Sequence, residues 1–319
     1  MRFLLVILGV FCCFSGCKNP TNKSIDVSNV KVNVIVNEFH KDFYNATKES
    51  LPKVKEKYPF LFPQMITDSI ALSKISSKDE QELYSEVQKK YKDLGHLRKQ
   101  LTSLFKHIRF YNPKFKIPQI VTIQSNIDYE NRVIYADSLL LISLDVYLGK
   151  EHPFYNNYPK YIKKNNTENH LIVDVAGAII ETQISPNNNR SLISNMIHEG
   201  KKTYVLDAYL PNVSKREKLG YDKEKMEWAF ANEEQIWMYF IENNFLFNTK
   251  KELIKRFIDI APFSKFYTSA DKDSPGSIGV FIGYQIVKDY MLNNDVSLQE
   301  LLSKNSEIIF KNSNYKPRK

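Results

Sequence analysis

The three cysteines of this chain stand at positions 12, 13 and 17, and none follows. Everything after residue 17 must therefore fold without a disulfide framework, and neither a Cys-based zinc finger nor a Cys nucleophile can lie there. What is left to hold such a body together is a hydrophobic core. The composition allows one, since 43% of the 319 residues are hydrophobic and 13% aromatic, well away from the range of disordered chains. The length suits one large domain or two small ones. Ten glycines are too few for a Gly-repeat architecture, and neither internal repeats nor low-complexity segments occur.

The cysteines also sit in an informative place. Met1-Arg2 forms a short positive start, and residues 3 to 14 are apolar apart from Gly9. As a helix this run spans only about 18 Å, short of the roughly 30 Å core of a bilayer. It reads as a signal peptide over residues 1–16, not as a membrane span. The next residues, Phe14-Ser15-Gly16-Cys17, look like a bacterial lipobox, with Phe14 in place of the usual Leu. In lipoproteins of this kind the cysteine thiol is acylated and becomes the first residue, so Cys17 is the expected lipidation site. The plainer alternative is a secretory signal with a stray cysteine. Acyl chains contribute about 0.8 kcal/mol per buried methylene, so two or three anchor stably.

Residues 17–28 then form a polar tether and residues 29–319 a single domain. No acidic run follows Cys17, which favours the periplasmic face over surface export. Cleavage removes Arg2 and takes the formal charge from +9 to +8. Beside an envelope membrane that charge faces anionic lipid or polymer. No RNP, helix-turn-helix or C2H2 signature points to nucleic acid.

Periodicity assigns the body to the α+β class, helix-dominant, with its strands before residue 145. Residues 30 to 39 alternate like a half-buried strand, and 119–123, 131–136 and 139–144 are strand-like. Helices are expected over 42–57 and 80–106, the latter on the spacing of Leu83, Val87, Tyr91, Leu94, Leu97 and Leu101. Further helices are expected over 172–182, 191–210 (ended by Pro211), 223–243, 250–260, 277–293 and 297–304.

Three stretches invite a chemical reading. His198-Glu199, inside SLISNMIHEGKKTY, opens like the HExxH helix of zinc hydrolases, in which two His at i and i+4 hold the metal and the Glu is general base. Here i+4 is Lys202, a cation without a lone pair. The plain reading is an amphipathic helix with a Glu199–Lys202 pair worth about 0.2–0.5 kcal/mol. A binding cleft without metal, or a functional zinc site, are the sharper ones. Glu233, on the edge of an apolar face running from Trp228 to Ile241, stands where a third zinc ligand falls in some HExxH enzymes; a helix-rim role is the bland alternative.

Finally, Gly276, Gly279 and Gly283 follow Ser274-Pro275, which looks like a helix start with Ser as N-cap. Glycine inside a helix costs roughly 1 kcal/mol relative to Ala, so the stripe calls for close packing of another element or approach by a ligand or peptide. Ser264, Lys265, Asp271 and Asp273 would supply a polar rim to such a groove. The aromatic run YLGKEHPFYNNYPKY at 147–161 suits core packing or a glycan-binding strip. The remaining histidines, 40, 96, 107, 152 and 170, show no metal spacing.

Several of these motifs together resemble one family: the signal with Cys17, LDVYLG (144–149), MIHEGKKTY (196–204), NEEQIW (232–237), APFSKFY (261–267), SPGSIGVFIGYQIV (274–287) and NYKPRK (314–319). Over nearly its full length the chain resembles the gliding-motility lipoprotein GldB family of Bacteroidota, itself similar to predicted zinc proteases with a true HExxH. The resemblance implies a zincin-like scaffold, a role in the gliding machinery at the membrane, and partners among gliding or envelope proteins. His198, Glu199 and Glu233 match as vestigial positions, while Lys202 departs from the motif. The expectation is a non-catalytic, cofactor-free protein without a metal. Its degenerate cleft would bind a partner or peptide, with Lys202, Ser264, Lys265, Asp271, Asp273, Gly276, Gly279 and Gly283 as candidate contacts. A metal-dependent peptidase with an incomplete site and a glycan-binding lipoprotein are the alternatives.

Overall fold

The structure, a computed structural model, describes residues 25–136 and 138–319; Cys17 and the signal segment lie outside them. A four-stranded sheet, order β1-β2-β4-β3, combines β1 (Val36–Asn37), β2 (Gln119–Ile123), β3 (Val133–Ala136) and β4 (Leu139–Ser143). β1, β2 and β4 run parallel, and β3 pairs antiparallel with β4.

Helices make up the rest: α1 (Phe39–Tyr44), α2 (Leu51–Lys57), α3 (Asp68–Ser76), α4 (Lys78–Lys90), α5 (Gly95–Tyr111), α6 (Lys160–Lys163), α7 (Glu168–Glu181), α8 (Leu192–Tyr209), α9 (Lys215–Leu219), α10 (Lys223–Ala231), α11 (Glu233–Glu242), α12 (Lys251–Phe257), α13 (Ile278–Asn293), α14 (Leu298–Ser303) and α15 (Ser306–Ser313). The class is helix-dominant α+β, with a small N-terminal sheet and a helical C-terminal part.

Side chains alternate across the sheet, as a strand's period of two requires. Ile120, Leu140 and Ile142 join the main core. Val121, with Leu139, Leu141 and Ile123, joins a smaller core under α1, α2 and α3. The sheet is thus covered on both faces.

Where the elements differ from expectation, local chemistry explains the difference. The half-buried alternation of 30–39 is real, with Val32, Val34 and Val36 on the inner side, but only Val36–Asn37 pairs with a neighbour. Helix 42–57 breaks into α1 and α2 because Pro52 lies in its middle, and a proline is tolerated only in a first turn. Helix 80–106 divides into α4 and α5 where the Asp93 carboxylate accepts the Gly95 amide at 2.8 Å. Its six spaced apolar residues are all buried. Helix 223–243 divides at Asn232, whose side-chain amide donates back to the Trp228 carbonyl at 2.9 Å.

The two long helices α8 and α13 form the most extensive helix pair in the molecule. They meet backbone to backbone. A Cβ added to Gly200 would lie 2.2 Å from the Gly283 carbonyl carbon, and one added to Gly283 only 1.7 Å from the Met196 carbonyl oxygen. This crossing fixes α8 at the centre of the helical part, buried on most of its faces.

Candidate functional site

Helix α8 carries the His-Glu pair. Its N-cap Ser191 accepts the Ser194 amide at 3.4 Å, and its apolar residues pack into the core on either side of the Gly200 crossing. Two polar faces remain. On one, Lys202 Nζ lies 2.8 Å from Glu199 Oε1 and 2.5 Å from Glu181 Oε2 of α7. Burial works to lower the Lys202 pKa, but Glu199 and Glu181 outweigh it and hold the pKa above its ordinary value. On the other face Ser194, His198 and Lys201 line a cleft of about 670 Å³, opposite the 185–190 loop and the turn between α14 and α15. Burial, followed by the charge of Lys202, holds the His198 imidazole below its ordinary pKa.

Glu233 does not join them. It is 1% exposed and lies at the start of α11, where its carboxylate accepts Gln285 Nε2 of α13 at 2.9 Å and the Tyr315 hydroxyl at 3.0 Å. Glu233 is therefore neither beside His198 nor on a helix rim, but a buried acceptor that ties the C-terminal segment to α13. The Tyr315 ring in turn packs edge to face on that of Trp237, 5.1 Å away. Among the described residues no three His, Cys, Asp or Glu side chains are grouped as they would be around a metal ion.

In the glycine stripe, two of the three positions serve close packing of neighbouring elements. Gly279 and Gly283 are buried against α8 and α12: a Cβ at Gly279 would sit 2.8 Å from the Phe257 carbonyl oxygen and 3.1 Å from Met196 Cγ. Gly276 precedes the helix and faces the Ala261 carbonyl. Gly279 and Gly283 thus pack protein against protein, whereas half-buried Gly276, with Pro262 and Pro275, lines a separate cleft. Helix α13 also starts later than Ser274-Pro275 suggested. Its first amide, of Ile278, is capped from a distance by Ser264 Oγ at 3.1 Å. The Ser274 hydroxyl lies within donating reach of the Asp271 carbonyl at 2.8 Å and of the Ser264 carbonyl at 3.1 Å, with one proton to share between them.

Asp271 is a loop staple, accepting the amides of Phe266, Tyr267 and Thr268 at 2.9, 3.1 and 3.3 Å. Ser264 and Asp271 are thus consumed by their own loop, while Lys265 and Asp273 are exposed on it. In the 147–161 stretch, Tyr147 and Tyr155 are fully buried, and the Tyr158 hydroxyl donates to the Ile127 carbonyl at 2.6 Å. That stretch belongs largely to the core.

Sequence reasoning missed the most unusual side chain of α8. Lys201 is 3% exposed, and its ammonium donates to the Lys304 carbonyl at 3.1 Å. Burial, then the charge of Lys202, holds its pKa down to about 8. Its position seven residues after Ser194 and three after His198, on one helical stripe, was the available signal. Arg190 and Lys304, which line the same cleft, gave none.

A helix-dominant α+β body with a small N-terminal sheet, built around a glycine-mediated helix crossing, defines the class of fold. The particular family follows from comparison: the model of the gliding motility protein GldB matches residues 20–317, and the chain belongs to that lipoprotein family. Membership connects it with gliding motility and with the cell envelope. No described helix is long and apolar enough to cross a membrane. No curated protein and no solved structure matches the chain, so the zincin likeness finds no support there.

Proposed function

We propose that this protein is a non-catalytic component of the gliding machinery, anchored through a lipid on Cys17 and facing the periplasm, that works by holding another envelope protein. The reading takes His198-Glu199 as the remnant of a zincin-like site. The observation that carries it is the Lys202 ammonium, 2.8 Å from the Glu199 carboxylate and 2.5 Å from that of Glu181. A cation occupies the position of the second ligand, and it neutralises the carboxylate that would act as general base. A metal ion brought to His198 would meet that positive charge in place of a lone pair.

The test is metal content and peptidase activity on one sample. Protein purified from envelopes without added metal carries no stoichiometric zinc, and Glu199→Gln leaves any background peptide cleavage unchanged. One zinc per chain, with cleavage abolished by Glu199→Gln, makes the protein a peptidase and overturns the reading.

A further inference from the structure

The cleft beside His198 combines an odd set of groups. Lys201 brings a buried ammonium to its wall, where it donates to the Lys304 carbonyl at 3.1 Å and, among the described residues, makes no ion pair; a buried charge is ordinarily paired. Arg190 is exposed and, among the described residues, makes no ion pair, and neither does Lys304. His198 lies on the same wall. Against these stands one carboxylate, Glu307, already accepting the Asn189 side-chain amide at 2.9 Å. The cleft therefore holds an excess of positive charge around a site of about 670 Å³.

The remaining lining consists of amides, hydroxyls and loop backbone. Asn187 Oδ1 accepts the Ser194 hydroxyl at 2.8 Å, which fixes that amide in the wall. No Phe, Tyr or Trp side chain lines the cleft, and the single ring there is the His198 imidazole, so it lacks the broad aromatic platform on which sugars or bases stack. The amides of the first turn of α8 are engaged too: Leu192 with the Asn248 carbonyl, Ile193 with that of Leu246, and Ser194 with Ser191 Oγ. Recognition of a bound group falls to side chains.

We propose that this cleft binds an acidic peptide segment, a Glu or Asp carboxylate seating between Lys201 and Arg190 with the Asn and Ser side chains meeting the peptide backbone. The proposal rests on the reading of the protein as a binding component and names the chemistry of what is bound. Charge-assisted hydrogen bonds from Lys and Arg to a carboxylate are the strong kind. A partner carboxylate supplies the counter-charge that the fold withholds from Lys201.

The test uses the full acylated protein in neutral detergent, with a fluorescein-labelled hexapeptide of alternating Glu and Ser and its Gln–Ser counterpart, read by anisotropy. The Glu peptide binds at least about tenfold more tightly than the Gln peptide, and Lys201→Met and Arg190→Gln each weaken it about five- to tenfold. Lys201→Met keeps or raises the thermal midpoint, since it removes a buried charge without a carboxylate partner. Should that variant fail to fold, Arg190→Gln, on an exposed side chain, carries the test. Equal binding of the two peptides, or wild-type binding by the folded variants, overturns the proposal. So does inorganic phosphate competing at the same concentration as the Glu peptide. If the Glu peptide is bound and also cut, the acidic preference stands and the non-catalytic reading falls; if it is not bound and no zinc is found, the reverse holds.

Discussion

Two chemically identical substitutions in this protein are expected to change stability in opposite directions. Gly177 lies inside α7, and a Cβ there would meet nothing within 4 Å. Replacing a helix-interior glycine by alanine removes backbone entropy from the unfolded chain and gains about 0.5–1 kcal/mol. Gly283→Ala would gain the same local term in α13, but its Cβ would lie 1.7 Å from the Met196 carbonyl oxygen, where ordinary contact begins near 3.4 Å. Neither partner can yield by rotating a side chain, because both are backbone. The crossing has to open, and α8 and α13 form the largest helix pair in the molecule. Overpacking costs about 1–3 kcal/mol where side chains can adjust. With rigid backbone on both sides the upper end applies, leaving a net loss of about 2 kcal/mol or more after the helical gain. Urea denaturation followed by far-ultraviolet circular dichroism reads both variants. Gly177→Ala shifts the midpoint up and Gly283→Ala shifts it down, a separation of about 3 kcal/mol. A Gly283→Ala protein as stable as wild type would mean that the helices do not cross at this point, and the account of the glycine stripe would be wrong.

Other expectations follow from buried polar groups and from the anchor. His40 is wholly buried, its Nδ1 2.9 Å from Thr122 Oγ1, and burial lowers its pKa from 6.5 to about 4. The folded state therefore binds fewer protons than the unfolded one between these values, so the stabilisation is complete above pH 6.5 and is lost as pH falls toward 4. Between pH 7.5 and 4.5 the wild type should lose roughly 2.5 kcal/mol more than His40→Gln; parallel losses in paired urea titrations would refute this. Tyr315→Phe removes a donor from the buried Glu233 carboxylate and should cost about 1–3 kcal/mol in the same assay, whereas a rim carboxylate would lose nothing measurable. Cys17→Ala should leave the protein soluble or unprocessed and abolish incorporation of labelled fatty acid into it, and continued labelling of the variant would exclude Cys17 as the lipid anchor.

What could be read without coordinates was of two kinds. Periodic burial is a local property, so the helices around Leu83–Leu101 and Ser191–Leu210 and the strands at 119–123 and 139–144 were legible from spacing alone. Single-residue chemistry was legible too: a lysine at position 202 cannot ligate zinc wherever the helix lies. The cysteine positions excluded disulfides from the body and marked the expected anchor.

Partnership between distant residues was not legible. Glu233 looked like a rim residue because its helix face is apolar, yet its carboxylate is claimed by Tyr315, 82 positions away. Ser264 looked like a rim group and instead caps α13, 14 positions on. Gly279 and Gly283 could serve a ligand or a neighbouring helix equally well as sequence, and only their packing against α8 and α12 decided between them. Lys201 carries an ordinary lysine's identity. Its burial follows from the turn that brings the Lys304 carbonyl to it across 103 residues. Which segments become helix or strand, and what each side chain can do chemically, was readable along the chain, because these depend on local backbone preference and on functional groups. Which charges are paired and which are left facing a cleft depends on long-range packing, which no spacing along the chain records.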